Sequence, residues 1–127
     1  MDGLKSDLRI YVLVLSCEPL KIFMHKEGLV RFATQPYQPI ELGSGRIAMN
    51  NLFVHLTNYS LNKDNNDFKA PTSLEDDTAH KRTLTSVFNT LRSMGKDVDK
   101  MWNEVKDIII KTLLSAQPDL AHNYRTC

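Results

Sequence analysis

Nine consecutive positions, residues 55–63, read His-Leu-Thr-Asn-Tyr-Ser-Leu-Asn-Lys and gather nearly every kind of hydrogen-bonding side chain around only two leucines. Thr57, Asn58, Tyr59, Ser60 and Asn62 offer neutral donors and acceptors, and Lys63, joined by His55 when protonated, adds positive charge. The guest that suits such a set is an anion with several oxygens. A stretch this polar is expected to wall a site and to stay out of any core. The alternative is a solvated strand end followed by a turn, since Asn and Ser are turn residues in their own right.

Other elements must carry the charge that this stretch lacks. Residues 8–15 are aliphatic and β-branched enough for a strand buried on both faces, with Leu8, Ile10, Val12 and Val14 on one side and Arg9, Tyr11, Leu13 and Leu15 on the other. Arg9 stands out in that run. A buried guanidinium without a partner costs several kcal/mol against a total stability of ~5–15, so Arg9 requires an anion or an opening onto water. If the extended backbone begins at Lys5, then Lys5, Asp7 and Arg9 share a face by the two-residue period. That row is either an ion-pair ladder at a strand entrance or part of a site.

Residues 20–25 alternate again and predict a half-exposed strand, and Lys26-Glu27-Gly28 supplies a short turn into a further strand over 29–34. The two strands read as a hairpin. Arg31 lies on one face with Leu29 and Ala33, either as a surface arginine or reaching over the sheet to grip a carboxylate with its planar fork. Residues 35–50 hold prolines, glycines and scattered polar groups and read as a loop. Leu52, Phe53 and Val54 form a short apolar lead that could dock as a strand. Residues 64–77 are polar and acidic and read as a mobile excursion.

From His80 onward the apolar period becomes helical. Leu84, Val87, Phe88, Leu91 and Met94 follow helix spacing, Thr78 is a candidate N-cap, and Gly95 is placed to end the helix in the left-handed conformation. Lys81 and Arg82 then fall in the first turn, where the helix dipole disfavours cations unless an anion approaches. Asp97 caps a longer helix whose apolar face runs through Val98, Met101, Trp102, Val105, Ile108, Ile109, Thr112, Leu113 and Ala116, closed by Pro118. Trp102 and the three isoleucines 108–110 read as packing. His122 and Tyr124 stay unassigned, and His25 and His80 read as surface residues.

The 127 residues suffice for one domain with a core, and a formal net charge of +1 with 24% charged residues marks no nucleic-acid or membrane partner. Cys17 and Cys127 show neither a pairing pattern nor metal-ligand spacing, and four scattered histidines give no zinc motif, so no metal ligands are assigned. A reducing compartment is the simpler reading. The longest apolar runs fall short of the ~20 residues of a membrane span.

The stretch over 55–63, preceded by Asp-Leu-Arg-Ile-Tyr-Val-Leu-Val at 7–14, closely resembles the tubulin tyrosine ligase-like family, and the likeness covers essentially the whole chain. Its wording is most similar to the polyglutamylase branch. The resemblance implies an α/β (α+β) fold: a partial ATP-grasp domain, with a short antiparallel sheet followed by two amphipathic helices. Residues 1–127 would be the central segment of that catalytic domain, incomplete at both ends. The implied reaction is ATP-dependent ligation of glutamate to glutamate side chains of tubulin through an acyl phosphate. Alternatives are a non-catalytic tubulin-binding module or a glycylase of the same family.

By the same resemblance, Lys5, Ser6, Asp7, Thr57 and Asn58 line the ATP site, Ser6 through its backbone because the family commonly has an aromatic there. Arg9 is the implied catalytic residue, stabilising negative charge near the transferred phosphoryl group. Arg31, Tyr59, Ser60 and Lys81 match positions that hold the incoming glutamate. The implied cofactors are ATP and Mg²⁺, with the metal ligands outside this chain, so the segment alone is expected to lack turnover. The implied partners are the acidic C-terminal tails of tubulin or microtubules, in the cytoplasm at the cytoskeleton, a cilium or a basal body.

Overall fold

Alternating side chains and a few well-placed caps decide most of the local structure. The structure is a computed structural model and describes residues 1, 3–38, 52–74 and 76–126. Strands β1 (Leu4–Arg9), β2 (Val12–Cys17), β3 (Leu20–Met24) and β4 (Leu29–Pro36) are followed by short helices α1 (Leu52–His55) and α2 (Tyr59–Asn62). Strand β5 (Lys81–Thr83) then leads into helices α3 (Leu84–Ser93) and α4 (Val98–Thr126). The mixed α/β class with antiparallel pairing is as expected from the sequence. The chain forms two compact units, one of residues 1–9 and 27–87, the other of residues 10–26 and 88–127.

In the first unit β1, β4 and β5 make an antiparallel sheet in the order β1-β4-β5. Its registers place Asp7 opposite Arg31, and Arg31 opposite Lys81. A shift between Leu4 and Ser6 marks an irregularity where β1 enters the sheet. Directly opposed residues of antiparallel strands project from the same face, so Asp7, Arg31 and Lys81 form one cross-strand row. On the other face lie Val30 and Phe32, both 1% exposed, with the Arg82 guanidinium 4.3 Å above the Phe32 ring. Arg82 also donates from Nε to the Ala79 carbonyl at 2.7 Å, which explains how a charged side chain tolerates burial there.

Several expectations change at this level. The single strand over 8–15 is two strands in different sheets, because β1 bonds to β4 while β2 bonds to β3 across a turn holding the cis Glu18–Pro19 peptide. Burial of both its faces does not hold either, with Leu13 and Leu15 about 60% exposed. The expected hairpin of 20–25 with 29–34 is likewise absent. Glu27, expected at its turn, instead accepts from the backbone N–H groups of Gly28 (2.9 Å) and Thr85 (3.1 Å) and from the Thr85 hydroxyl (2.6 Å). Burial opposes the charge of Glu27, but these bonds outweigh it and lower the carboxyl pKa.

Leu52–Val54 enters a helical turn and not a strand, closed by the Leu56 N–H on the Leu52 carbonyl at 2.8 Å, with Val54 buried. Helix α3 starts at Leu84 and not after Thr78, since Lys81 and Arg82 pair with the open edge of β4. Its N-cap is Thr83, whose Oγ1 accepts from the Ser86 N–H at 3.2 Å. Thr78 turns its hydroxyl to Asp76. The dipole penalty foreseen for Lys81 and Arg82 therefore does not arise.

The excursion over 64–77 is a series of turns in its described part, Glu75 lying outside the described residues, and Asp76 ties it by accepting from both the N–H and hydroxyl of Thr72 and of Thr78. Of the loop read over 35–50, β4 occupies Gln35 and Pro36, and residues 39–50 lie outside the described residues. Cys127, read as unpaired, lies outside them as well.

In the second unit β2 pairs with β3, and α3 ends as expected. Gly95 has φ 74°, its N–H bonds Arg92 O at 2.9 Å, and the Lys96 N–H bonds Leu91 O at 3.0 Å, the paired bonds of a Schellman end. Asp97 caps α4 through Oδ1 to the Lys100 N–H at 2.9 Å. Pro118 does not close that helix, which continues to Thr126 and includes His122 and Tyr124. A proline costs its helix one N–H donor and a steric clash, and here Gln117 and Arg125 on either side hold Cys17 O and the Glu18 carboxylate. Trp102 packs edge-on against Phe88 with ring centroids 5.5 Å apart. Ile108 (62%) and Ile110 (46%) are exposed, so the packing face of α4 is narrower than its sequence implies. Among the described residues no helix is long and apolar enough to cross a membrane.

Candidate functional site

Strand β1, at one edge of the first unit's sheet, presents Asp7, and two side chains from elsewhere in the unit meet on its carboxylate. Arg31 donates to Oδ2 from Nε at 3.1 Å and from Nη2 at 2.7 Å, and the Thr57 hydroxyl donates to Oδ1. The pair is half-open, with side chains 30% (Arg31) and 35% (Asp7) exposed, so a guest can reach it. A guanidinium carries five N–H donors, and Asp7 takes two of Arg31's, leaving three directed elsewhere. The pair itself contributes at most about 1 kcal/mol to stability at this exposure. Its consequence is geometric, because it fixes the plane of the fork.

Lys81, on β5, lies directly opposite Arg31 of β4 and has no ion pair or side-chain hydrogen bond among the described residues. The row therefore runs negative, positive, positive across strands roughly 5 Å apart. Lys5 donates Nζ to the His55 carbonyl at 2.8 Å, which ties β1 to the start of the polar stretch and leaves two ammonium hydrogens unused by described residues. Arg9 is exposed at the end of β1 and makes no ion pair with a described residue, so the wet opening is the option it takes. Ser6 is exposed on the same strand.

Asn58 precedes α2 with φ −59° and ψ 125°, and its side chain makes no capping bond. It stays open to a ligand. Tyr59, 56% exposed, sets its ring against Phe68 at 5.7 Å, and Ser60 is exposed beside it. Chain neighbourhood and hydrogen bonding thus gather Lys5, Asp7, Arg31, Thr57, Asn58 and Lys81 in one unit around one row of charge. The donors left unused fit a polyanion. Among the described residues no cluster of three or more His, Cys, Asp or Glu could hold a metal ion.

A family-wide profile described as the tubulin-tyrosine ligase family matches residues 1–127. The chain belongs to this family. A probable beta-tubulin polyglutamylase of Tetrahymena thermophila is 48% identical over all of this chain and 10% of its own length. The tubulin polyglutamylases ttll6 of Danio rerio and TTLL13 of Mus musculus are 45% and 46% identical, again over all of this chain and 15% of theirs. The chain thus spans between a tenth and a sixth of these relatives, and the tubulin-tyrosine ligase family is ATP-grasp-like in fold.

Two features of the polar stretch and its surroundings escape the sequence. Asn62, expected outside any core, is 1% exposed. Its amide is fully used: Oδ1 accepts from Thr34 Oγ1 at 2.9 Å, and Nδ2 donates to the carbonyls of Leu56 and Asn58, both at 2.9 Å. Burial is affordable only because every polar atom is paired. Its spacing of four from Asn58, within a helical turn, is the one local hint. His80, expected at the surface, is 9% exposed, stacks on Phe68, and accepts at Nδ1 from the Lys69 N–H at 3.0 Å. Burial first, then the charges of Arg82 and Lys69, lower its pKa, so the ring is neutral with its proton on Nε2.

Proposed function

We propose that this chain is the central segment of an ATP-dependent ligase that joins glutamate to glutamate side chains of tubulin, a reading supported by its similarity to proteins named tubulin polyglutamylases. The observation that carries the reading is the Asp7–Arg31–Lys81 row bonded through Thr57 to the polar stretch. ATP would pass its γ-phosphoryl group to the acceptor carboxylate, releasing ADP. The amine of free glutamate then attacks the acyl carbon, the amide C–N bond forms, and inorganic phosphate leaves. Lys5 and Arg9 bear positive charge toward the phosphates, with Arg9 stabilising the charge that develops on transfer. Ser6, Asp7, Thr57 and Asn58 shape the nucleotide side.

Arg31 and Lys81 hold the carboxylates of the incoming glutamate, with Tyr59 and Ser60 orienting it. Mg²⁺ would supply the main counter-charge to the phosphates, held by ligands outside this chain. The acidic C-terminal tails of tubulin are the protein substrate, which places the activity in the cytoplasm at the cytoskeleton, cilia included. The test is an active polyglutamylase relative carrying residues 1–127 in place of its own matched stretch, compared with its Arg31→Ala form. Loss of one charge-assisted contact predicts a rise in KM for glutamate of roughly 10- to 100-fold, with a smaller change in KM for ATP through the freed Asp7. An unchanged KM for glutamate overturns the assignment.

A further inference from the structure

His80 and Phe68 have no part in the chemistry above, yet their bonds converge on two of the residues given to glutamate. The His80 N–H donates to Lys69 O at 3.0 Å while its Nδ1 accepts from the Lys69 N–H at 3.0 Å, so backbone and ring of one residue clamp both sides of another. Its carbonyl accepts from the Phe32 N–H at 2.9 Å, which ties the same residue to β4 next to Arg31. The ring stacks on Phe68 at 5.8 Å, and Phe68 in turn meets the Tyr59 ring at 5.7 Å. Lys81 is the next residue along the chain.

We propose that His80 is a positioning residue for the glutamate site, holding the 69–80 connection against β4 so that Tyr59 and Lys81 are presented together. It acts through Lys81 on one side and through the Phe68 ring on the other, and touches no reacting atom. The proposal rests on the reading that Tyr59 and Lys81 hold glutamate. The charged groups around the ring are Arg82 from β5, Lys69 from the connection and Asp67 just before it. A proton on Nδ1 would expel the Lys69 N–H, so the clamp exists only while the ring is neutral.

The experiment uses the same chimaeric polyglutamylase with His80→Ala, His80→Asn, His80→Gln, Phe68→Leu and Arg31→Ala. His80→Ala is expected to raise KM for glutamate about ten-fold with KM for ATP and kcat little changed. His80→Asn, whose amide oxygen falls where Nδ1 stands, recovers most of that loss, and His80→Gln, with its oxygen one carbon further out, does not. Phe68→Leu removes the ring relay but spares the clamp and raises KM for glutamate about three-fold, a readout that decides the matter if His80→Ala does not fold. An effect of Arg31→Ala without any effect of the His80 and Phe68 variants overturns this proposal alone. So does a loss in which both KM values and kcat move together, or an equal loss in the Asn and Gln variants. No effect of Arg31→Ala overturns the glutamate reading and this proposal with it.

Discussion

Replacing Asn62 by alanine is expected to destabilise the chain by about 2–4 kcal/mol, and the structure says where that loss arises. Three hydrogen bonds disappear together, one from Thr34 Oγ1 and two to the carbonyls of Leu56 and Asn58. Thr34 is 7% exposed and keeps only the bond that it accepts from Asn65 Nδ2, so its hydroxyl proton is stranded at a cost of ~1–3 kcal/mol. The two carbonyls belong to exposed residues that water reaches, which limits their loss to about 0.5 kcal/mol each. With a urea m-value of ~1.5 kcal/mol/M, the unfolding midpoint falls by about 1.3–2.7 M. Asn62→Asp sharpens the test, since a carboxylate still accepts from Thr34 but faces two carbonyl oxygens, and burial together with those carbonyls raises its pKa, so that protonation on acidification relieves the clash. A loss under about 1 kcal/mol for Asn62→Ala refutes the claim that this amide latches the polar stretch to β4.

The pKa of Asp76 lies far below its ordinary value, through bonds from the Thr72 N–H first and then the Thr78 N–H and hydroxyl, with burial opposing weakly and the Thr72 hydroxyl assisting. A carboxyl group whose folded pKa is depressed stabilises fully above its unfolded value and loses that contribution as pH falls below it. The urea midpoint of the native chain is therefore expected to converge on that of Asp76→Asn between about pH 5 and about pH 2, and parallel curves contradict this. Gly95→Ala should cost about 1 kcal/mol from backbone conformation alone, since φ is 74° and an added Cβ meets no atom within 4 Å; an unchanged melting curve argues against the left-handed end. Thr83→Ala should cost about 1 kcal/mol and lower the protection of the amides that open α3 against hydrogen exchange, whereas Thr78→Ala leaves those amides protected; the reverse pattern restores Thr78 as the cap.

What could be read from the sequence is the chemistry that acts over three or four residues. Gly95 and Asp97 act on carbonyls and amides of their own helices, so spacing alone located them. The helix start failed for a tertiary reason, because both Thr78 and Thr83 suit a cap and only the open edge of β4 assigns Lys81 and Arg82 to a strand. The division of residues 8–15 was equally hidden, since β1 and β2 share one alternating pattern and differ only in which strand they bond. Asn62 and His80 were misplaced because residue type says whether a side chain needs partners, not whether the fold supplies them. The members of the polar stretch could be named from sequence, while the bracket that joins them to Arg31 depends on a register between strands more than twenty residues apart.

The proposed glutamate site depends most on Arg31 and Lys81 meeting one anion together. Its most direct test follows the Arg31 Nε–H and Lys81 Nζ resonances in the chimaeric polyglutamylase as glutamate is added in the presence of a non-hydrolysable ATP analogue. Both are predicted to shift with a common midpoint, and to stay still when glycine is added instead. Shifts at separate midpoints, or at neither residue while the enzyme still binds glutamate, contradict a shared pocket.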